Sequence, residues 1–145
     1  MRIYLDNFCY NRPYDDQSQI SISLESQAKL HIQRLIIENK IDLVSSYVLM
    51  AENNANPHES RKQNIFDFIE ENSIVFVSEA NFDKIIEMAK PIIETGIKQP
   101  DACHIACAIL AHCDYFITTD KRVLKYVTDD IKILNPTNFL SEIED

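Results

Sequence analysis

Asp114-Tyr115-Phe116-Ile117-Thr118-Thr119-Asp120-Lys121 is the stretch that decides the fold. Aromatic and β-branched residues fill its centre, which predicts a short buried strand over about 114–119. An acid, Asp120, closes it. The chain opens the same way, with Ile3-Tyr4-Leu5 followed by Asp6. Further short apolar runs predict strands at about 2–5, 42–46, 74–78 and 131–134. All are rich in Ile, Val, Leu, Phe or Tyr and read as strands buried on both faces, as in a parallel sheet.

Helical periodicity fills the intervals. Residues 23–39 place Ala28, Ile32, Leu35 and Ile36 on one face, and residues 59–71 place Ile65, Phe66 and Ile69. Residues 80–95 carry Phe82, Ile85, Ile86 and Ala89, with Pro91 expected to kink or interrupt the helix. Ala102, Ile105, Ala106, Ile109 and Leu110 form an i, i+3, i+4, i+7, i+8 stripe over 100–112. Short helices are predicted at 121–127 and 136–143. Residues 11–22 read as a polar loop, and Asn53–Pro57 as a turn. Alternating strands and helices predict an α/β fold: a three-layer α/β/α sandwich on a mainly parallel five-stranded sheet with right-handed crossovers.

Composition narrows the chemistry. The 145 residues suffice for one domain, and a hydrophobic share of 46% argues against disorder. The single glycine, Gly96, excludes a glycine-rich phosphate loop and a dinucleotide fingerprint. No apolar run is long enough to cross a bilayer, and the charged Met1–Asp6 segment does not read as a secretory signal, so a cytoplasmic protein is expected. Cys9, Cys103, Cys107 and Cys113 lack zinc-site spacing and read as reduced thiols, Cys103, Cys107 and Cys113 as small core residues. With 14 basic against 23 acidic residues the net charge is −9. The acidic tail Ser141–Asp145 adds to it, and the basic groups Arg61-Lys62 and Lys121-Arg122 with Lys125 form no strong stripe. High affinity for bulk nucleic acid is not expected.

Four acids stand apart. Asp6 and Asp120 each close a strand, where open α/β sheets bind ligands. Asp101 lies in the first turn of its helix, and Glu52 lies beyond Leu43-Val44-Ser45-Ser46. Carboxylates meeting at one point repel unless a cation sits among them, which makes these four a candidate Mg²⁺ or Mn²⁺ site. Each has a plainer reading: Asp101 as a capping-type residue, Asp120 as the N-cap of the helix starting at Lys121, Glu52 as a solvated helix acid. Thr118 is placed to hold a carboxylate, or is a strand threonine chosen for β-propensity. His104 reads as a helix histidine hydrogen-bonded under the site in preference to a catalytic one. Arg12 contacts phosphate or braces the loop beside Asp15 and Asp16.

The chain resembles the PIN-domain (PilT N-terminus) nucleases, including the VapC-like ribonuclease toxins. The resemblance runs in order through Ile3-Tyr4-Leu5-Asp6-Asn7, Asn11-Arg12-Pro13, Ser45-Ser46, Glu52, Pro100-Asp101-Ala102-Cys103-His104-Ile105-Ala106-Cys107-Ala108 and Asp114–Lys121. It implies a single PIN-like nuclease domain over residues 1–145. It also implies a metal-dependent ribonuclease that hydrolyses RNA phosphodiester bonds, with Asp6, Glu52, Asp101 and Asp120 holding Mg²⁺ or Mn²⁺. Thr118 and Asn7 are the supporting residues; many family members carry Thr or Ser where this chain has Asn7. The partners it implies are RNA, a cognate antitoxin and a second copy of the chain. An inactive PIN-fold regulatory module is the alternative. An aspartate-based phosphohydrolase for small molecules fits less well, because the position two residues after Asp6 is Phe8 and not a second acid.

Overall fold

The computed structural model describes residues 1–144; Asp145, the end of the acidic tail, lies outside the described residues. The chain runs β1 (Arg2–Leu5), α1 (Asn7–Asn11), a 3-10 turn (Arg12–Tyr14), α2 (Ile20–Ile37), β2 (Asp42–Ser46), α3 (Tyr47–Asn54), α4 (Glu59–Asn72) and β3 (Ser73–Val77). After a second 3-10 turn (Glu79–Asn81) come α5 (Phe82–Glu94), α6 (Gln99–Leu110), β4 (Tyr115–Ile117), α7 (Lys121–Leu124), β5 (Lys132–Leu134) and α8 (Pro136–Ile143). The strands form one sheet in the order β3-β2-β1-β4-β5, and every pairing is parallel.

Strand alternation sorts the helices into two outer layers. Tyr4 and the adjacent Phe116 stack with ring centroids 5.4 Å apart, and Tyr4 meets His104 of α6 edge-on. Their sequence neighbours point the other way: Tyr115 packs edge-on against Phe139 of α8 at 5.0 Å. The α6 side and the α8 side are therefore opposite faces, and the architecture is a three-layer α/β/α sandwich.

Several local expectations are corrected. The segment read as a polar loop over 11–22 contains the end of α1, a 3-10 turn and the start of α2. Asn-Phe-Cys-Tyr-Asn has little helical propensity, and α1 forms because the Asp6 carbonyl accepts the Cys9 N–H at 2.9 Å while Cys9 and Tyr10 are buried. The turn expected at Asn53–Pro57 starts later, since α3 extends through Asn54. The helix expected over 121–127 stops at Leu124. Pro91 does not interrupt α5, which continues to Glu94. Ile85, Ala89 and Ile92 anchor both halves in the core, while the Glu87 carbonyl that Pro91 leaves unbonded sits on an exposed residue that water can reach. The edge strand β3 is not buried on both faces: Ile74 is 57% and Phe76 51% exposed.

The lone glycine has a conformational reason. Gly96 adopts φ +105° directly after α5, where its N–H bonds the Ile93 carbonyl at 2.9 Å. A side chain there would be strained by the backbone and not by crowding, because a Cβ would meet nothing within 4 Å. That turn leads into α6, whose first turn carries Asp101.

Lys29 of α2 is the unusual core residue. It is 7% exposed, and its Nζ lies 5.4 Å from the Tyr10 ring centroid. It donates to Gln33 Oε1 at 2.6 Å and forms no ion pair with a described carboxylate. Burial lowers its pKa to about 8 from the ordinary 10.5. The folded-state value lies below the unfolded one, so the charge costs stability at neutral pH. The cost fades as pH rises from 8 to 10.5. Lys29→Met is expected to raise the unfolding free energy at pH 7 by about 1–3 kcal/mol. In urea melts across pH, that gain should shrink through the same interval; a gain independent of pH would show that the charge is not its source.

Candidate metal centre

β1 and β4 are neighbours, yet the connections after them lead to opposite sides of the sheet, so a crevice opens at their carboxyl ends. Asp6 sits there, 2% exposed. Its N–H donates to the Ile117 carbonyl at 3.0 Å, extending the β1–β4 ladder by one step. Thr118 Oγ1 donates to Asp6 Oδ2 at 2.7 Å and accepts the Asp120 N–H at 3.0 Å. One buried hydroxyl thus fixes both strand-ending acids. Burial raises the Asp6 pKa; the His104 charge, the Thr118 bond and the Asn7 N–H oppose that rise, and Glu52 adds to it.

Glu52 reaches the crevice from α3. His104 Nε2 donates to Glu52 Oε1 at 2.6 Å. The His104 ring is fully buried, and its Nδ1 lies 2.6 Å from Tyr4 Oη. Tyr4 Oη in turn lies 2.6 Å from Ser46 Oγ, which accepts the Leu49 N–H and so caps α3. The His104 pKa is raised: burial works against the charge, but the Glu52 bond and the charges of Asp6, Glu52 and Asp101 outweigh it. With both ring nitrogens protonated, Nδ1 donates to Tyr4 and Tyr4 to Ser46. The chain Ser46–Tyr4–His104 then holds Glu52 in place from beneath.

Asp101 and Asp120 complete the acidic group. Asp101, at the third position of α6, is half-buried, and its carboxylate accepts no hydrogen bond from a described residue. Its pKa is pushed up to about 6 by burial first, then by the charges of Asp6 and Asp120; His104 lowers it and Glu52 raises it. Asp120 Oδ1 accepts the Arg122 N–H at 2.9 Å, the N-cap of α7. That cap engages one oxygen and leaves Oδ2 without a donor among the described residues. Glu52, Asp101 and Asp120 line one cleft of about 510 Å³ with Phe8, Lys98 and Arg122.

The remaining sequence candidates find other partners. Asn7 turns its side chain to Asn11, whose Nδ2 donates to Asn7 Oδ1 at 3.1 Å. Asn56 Nδ2 donates to Asn11 Oδ1 at 3.2 Å, so these amides tie α1 to the loop after α3. Arg12 donates to Glu25 Oε1 at 3.0 Å and to Asp15 Oδ2 at 3.1 Å. It braces the loop through Glu25 and Asp15, and Asp16 is not its partner. Tyr4 and Ser46 were not legible as support for the site. A tyrosine in an apolar strand carries the signal of a core residue, and only the fold brings His104 onto its hydroxyl.

The donor chemistry suits a hard divalent cation. Asp6, Glu52 and His104 offer ligand atoms within 4.8 Å of one another. Both His104 nitrogens are engaged, which leaves carboxylate oxygens as the available donors, the set Mg²⁺ and Mn²⁺ prefer. Asp101 and Asp120 fall outside that close group and line the adjoining cleft beside Glu52.

No protein-family model and no curated protein matches the sequence. Solved structures do match. VapBC2 from Rickettsia felis bound to a promoter DNA fragment is similar at a TM-score of 0.58, with 14% identity over 93% of this chain and 98% of that one. FitAB bound to an IR36 DNA fragment is similar at 0.56, with 19% identity over 93% of this chain and 95% of that one. FitAcB from Neisseria gonorrhoeae is similar at 0.52, with 18% identity over 92% and 97%. No helix among the described residues is long and apolar enough to cross a membrane. At these identities the likeness speaks to the fold, and the chain has the PIN-domain fold of the VapC-like proteins.

Proposed function

We propose that this protein is a Mg²⁺- or Mn²⁺-dependent endoribonuclease, the toxin of a toxin–antitoxin pair. The observation that carries the reading is Asp101: a half-buried carboxylate without a hydrogen-bond donor among the described residues, its pKa pushed up to about 6 by burial and by the charges of Asp6, Asp120 and Glu52. An acid in that position is unfavourable for the fold alone and favourable for a fold that takes up a cation. The toxin setting is supported by the likeness to VapBC2 and FitAB, both of which are complexes bound to DNA fragments. That likeness also supports a cognate antitoxin as partner, with the protein acting in the cytoplasm. Against the inactive-module alternative, none of the four acids is diverted into an ion pair with a described Lys or Arg.

In this reading Asp6, Asp101 and Asp120 hold the cation, with Asp6 kept in register by Thr118. When bound, the cation supplies Lewis acidity, offsetting the charge of the phosphodiester and lowering the pKa of a water molecule. Glu52, fixed through Oε1 by His104, keeps Oε2 free to ligate or to orient the attacking water and accept its proton. His104 is a positioning residue that acts through Glu52.

Two outcomes test the reading. Mg²⁺ or Mn²⁺ should raise the melting temperature, with a stabilisation of about 2.7 kcal/mol at a hundredfold excess over Kd. Asp6→Asn should shrink that gain. A melting curve unchanged across millimolar metal would overturn the metal site.

Cleavage of single-stranded and loop-containing RNAs in Mn²⁺ should stop on addition of chelator. Asp101→Asn should slow it more than a hundredfold, about 3 kcal/mol in the barrier, while the variant stays folded. Equal rates for Asp101→Asn and wild type would place the activity elsewhere.

A further inference from the structure

The acidic cleft continues into a second cavity. The first is lined by Phe8, Lys98, Asp101 and Arg122 among others. The second, of about 450 Å³, shares Lys98, Asp101 and Arg122 with it and adds Lys125 and Tyr126. The two form one trough that runs from α1 past the carboxylates to α7. Beside Arg12, which is held by Glu25 and Asp15, its unpaired cations come from two elements: Lys98 precedes α6, while Arg122 and Lys125 belong to α7 and its end. All three are exposed, and none forms an ion pair with a described residue. Elsewhere Arg12 pairs with Glu25, Lys62 with Glu59, Lys132 with Glu142 and Lys40 with Glu38, while Arg34, Lys84, Lys90 and Lys121 also stand without an ion pair to a described residue but do not line the trough. In a chain of net charge −9, three unpaired cations along one trough offset the carboxylates of Glu52, Asp101 and Asp120 that line it.

The trough has an aromatic ring at each end. Phe8 stands 51% exposed at the acidic end, and Tyr126 lines the far end, partly exposed. An exposed phenylalanine directly beyond the buried Asp6 contributes little to the core. Cations between aromatic platforms, open to solvent along their length, are what a single nucleic-acid strand needs: phosphates pair with the cations while bases stack on the rings.

We propose that this trough binds single-stranded RNA across the carboxylates. Lys98, Arg122 and Lys125 carry its phosphates, Phe8 stacks one base and Tyr126 faces another. The proposal rests on the nuclease reading for the identity of the strand and adds the path it takes. Binding is local: the cations sit on one side of the acids, so contact with a few nucleotides sets affinity and the rest of the acidic surface repels the strand. That reconciles a net charge of −9 with a nucleic-acid substrate.

The test is fluorescence anisotropy of a labelled RNA dodecamer in Mg²⁺, with Asp101→Asn as parent so that the strand is not cut, and salt titrations on each variant. Lys125→Glu should weaken binding about tenfold, and Lys125→Ala should reduce the salt slope by about 0.7, the value for one lost phosphate contact on a single strand. Phe8→Ala should weaken binding about tenfold with no change in slope, and Phe8→Tyr should restore it. Lys40→Glu is the control, since Lys40 precedes β2 and lies at the opposite edge of the parallel sheet. Lys125 and Phe8 are exposed, and melting curves equal to the parent's would show that the variants fold.

RNA bound by the Lys125 and Phe8 variants as tightly as by the parent overturns the trough. So does a parent that binds no RNA, or a Lys125→Glu effect seen only with an acidic peptide. If wild type cleaves RNA while the variants change nothing, the trough fails and the nuclease reading stands. If the variants behave as expected while wild type cleaves nothing, the trough stands and the nuclease reading fails.

Discussion

The hydrogen bond from Thr118 to Asp6 organises the rest of the site. A carboxylate 2% exposed at the end of a strand is costly to bury, and an uncompensated one would cost several kcal/mol or take up a proton. Thr118 Oγ1 meets it at 2.7 Å from the neighbouring strand. That contact needs β1 and β4 adjacent, parallel and in register, with Leu5 opposite Ile117. The topology that makes the crevice is thus the topology that makes Asp6 tolerable.

A second set of contacts works from below. Tyr4 is a core aromatic by position and a hydrogen-bonding residue by contact: its ring stacks on Phe116 and its hydroxyl meets His104 and Ser46. Because Ser46 caps α3 and His104 holds Glu52, the polar chain links the start of α3 to the acid two turns along it. A buried polar network of this kind is favourable only when every member is satisfied. Here each of Tyr4, Ser46 and His104 has its partner, and the network ends on a carboxylate at the edge of the cleft. The positive charge favoured on His104 is itself a product of that cleft, since Asp6, Glu52 and Asp101 all contribute to it.

Cations and acids share elements: Lys98 and Asp101 stand at the start of α6, and Asp120 and Arg122 at the start of α7. The acids gather where strand ends and α3 meet α6, while Lys98, Arg122 and Lys125 border them from the ends of α6 and α7. The acids are scattered through the sequence, while Arg122 and Lys125 are near neighbours and Lys98 joins them only in the fold. A net charge of −9 describes the whole surface and says little about the field within one trough.

What the sequence determined follows from periodicity and punctuation. Short runs of β-branched and aromatic residues fixed the existence of five strands, and the apolar stripe through Ala102, Ile105 and Ile109 fixed α6, because both signals are local. The strand-ending acids Asp6 and Asp120 were legible for the same reason, as was the N-cap reading of Asp120. Tertiary structure decided the rest. α1 forms over residues with poor helical propensity because Cys9 and Tyr10 are drawn into the core. β3 stays half exposed because it ends the sheet, a fact of strand order that no local pattern carries. Asn7 turned out to face Asn11, Arg12 found Glu25, and Tyr4 and Ser46 became the support of Glu52, each through a contact between residues distant in sequence or on successive helical turns. Spacing along a chain reports which residues share an element. Only the folded chain reports which elements share a crevice.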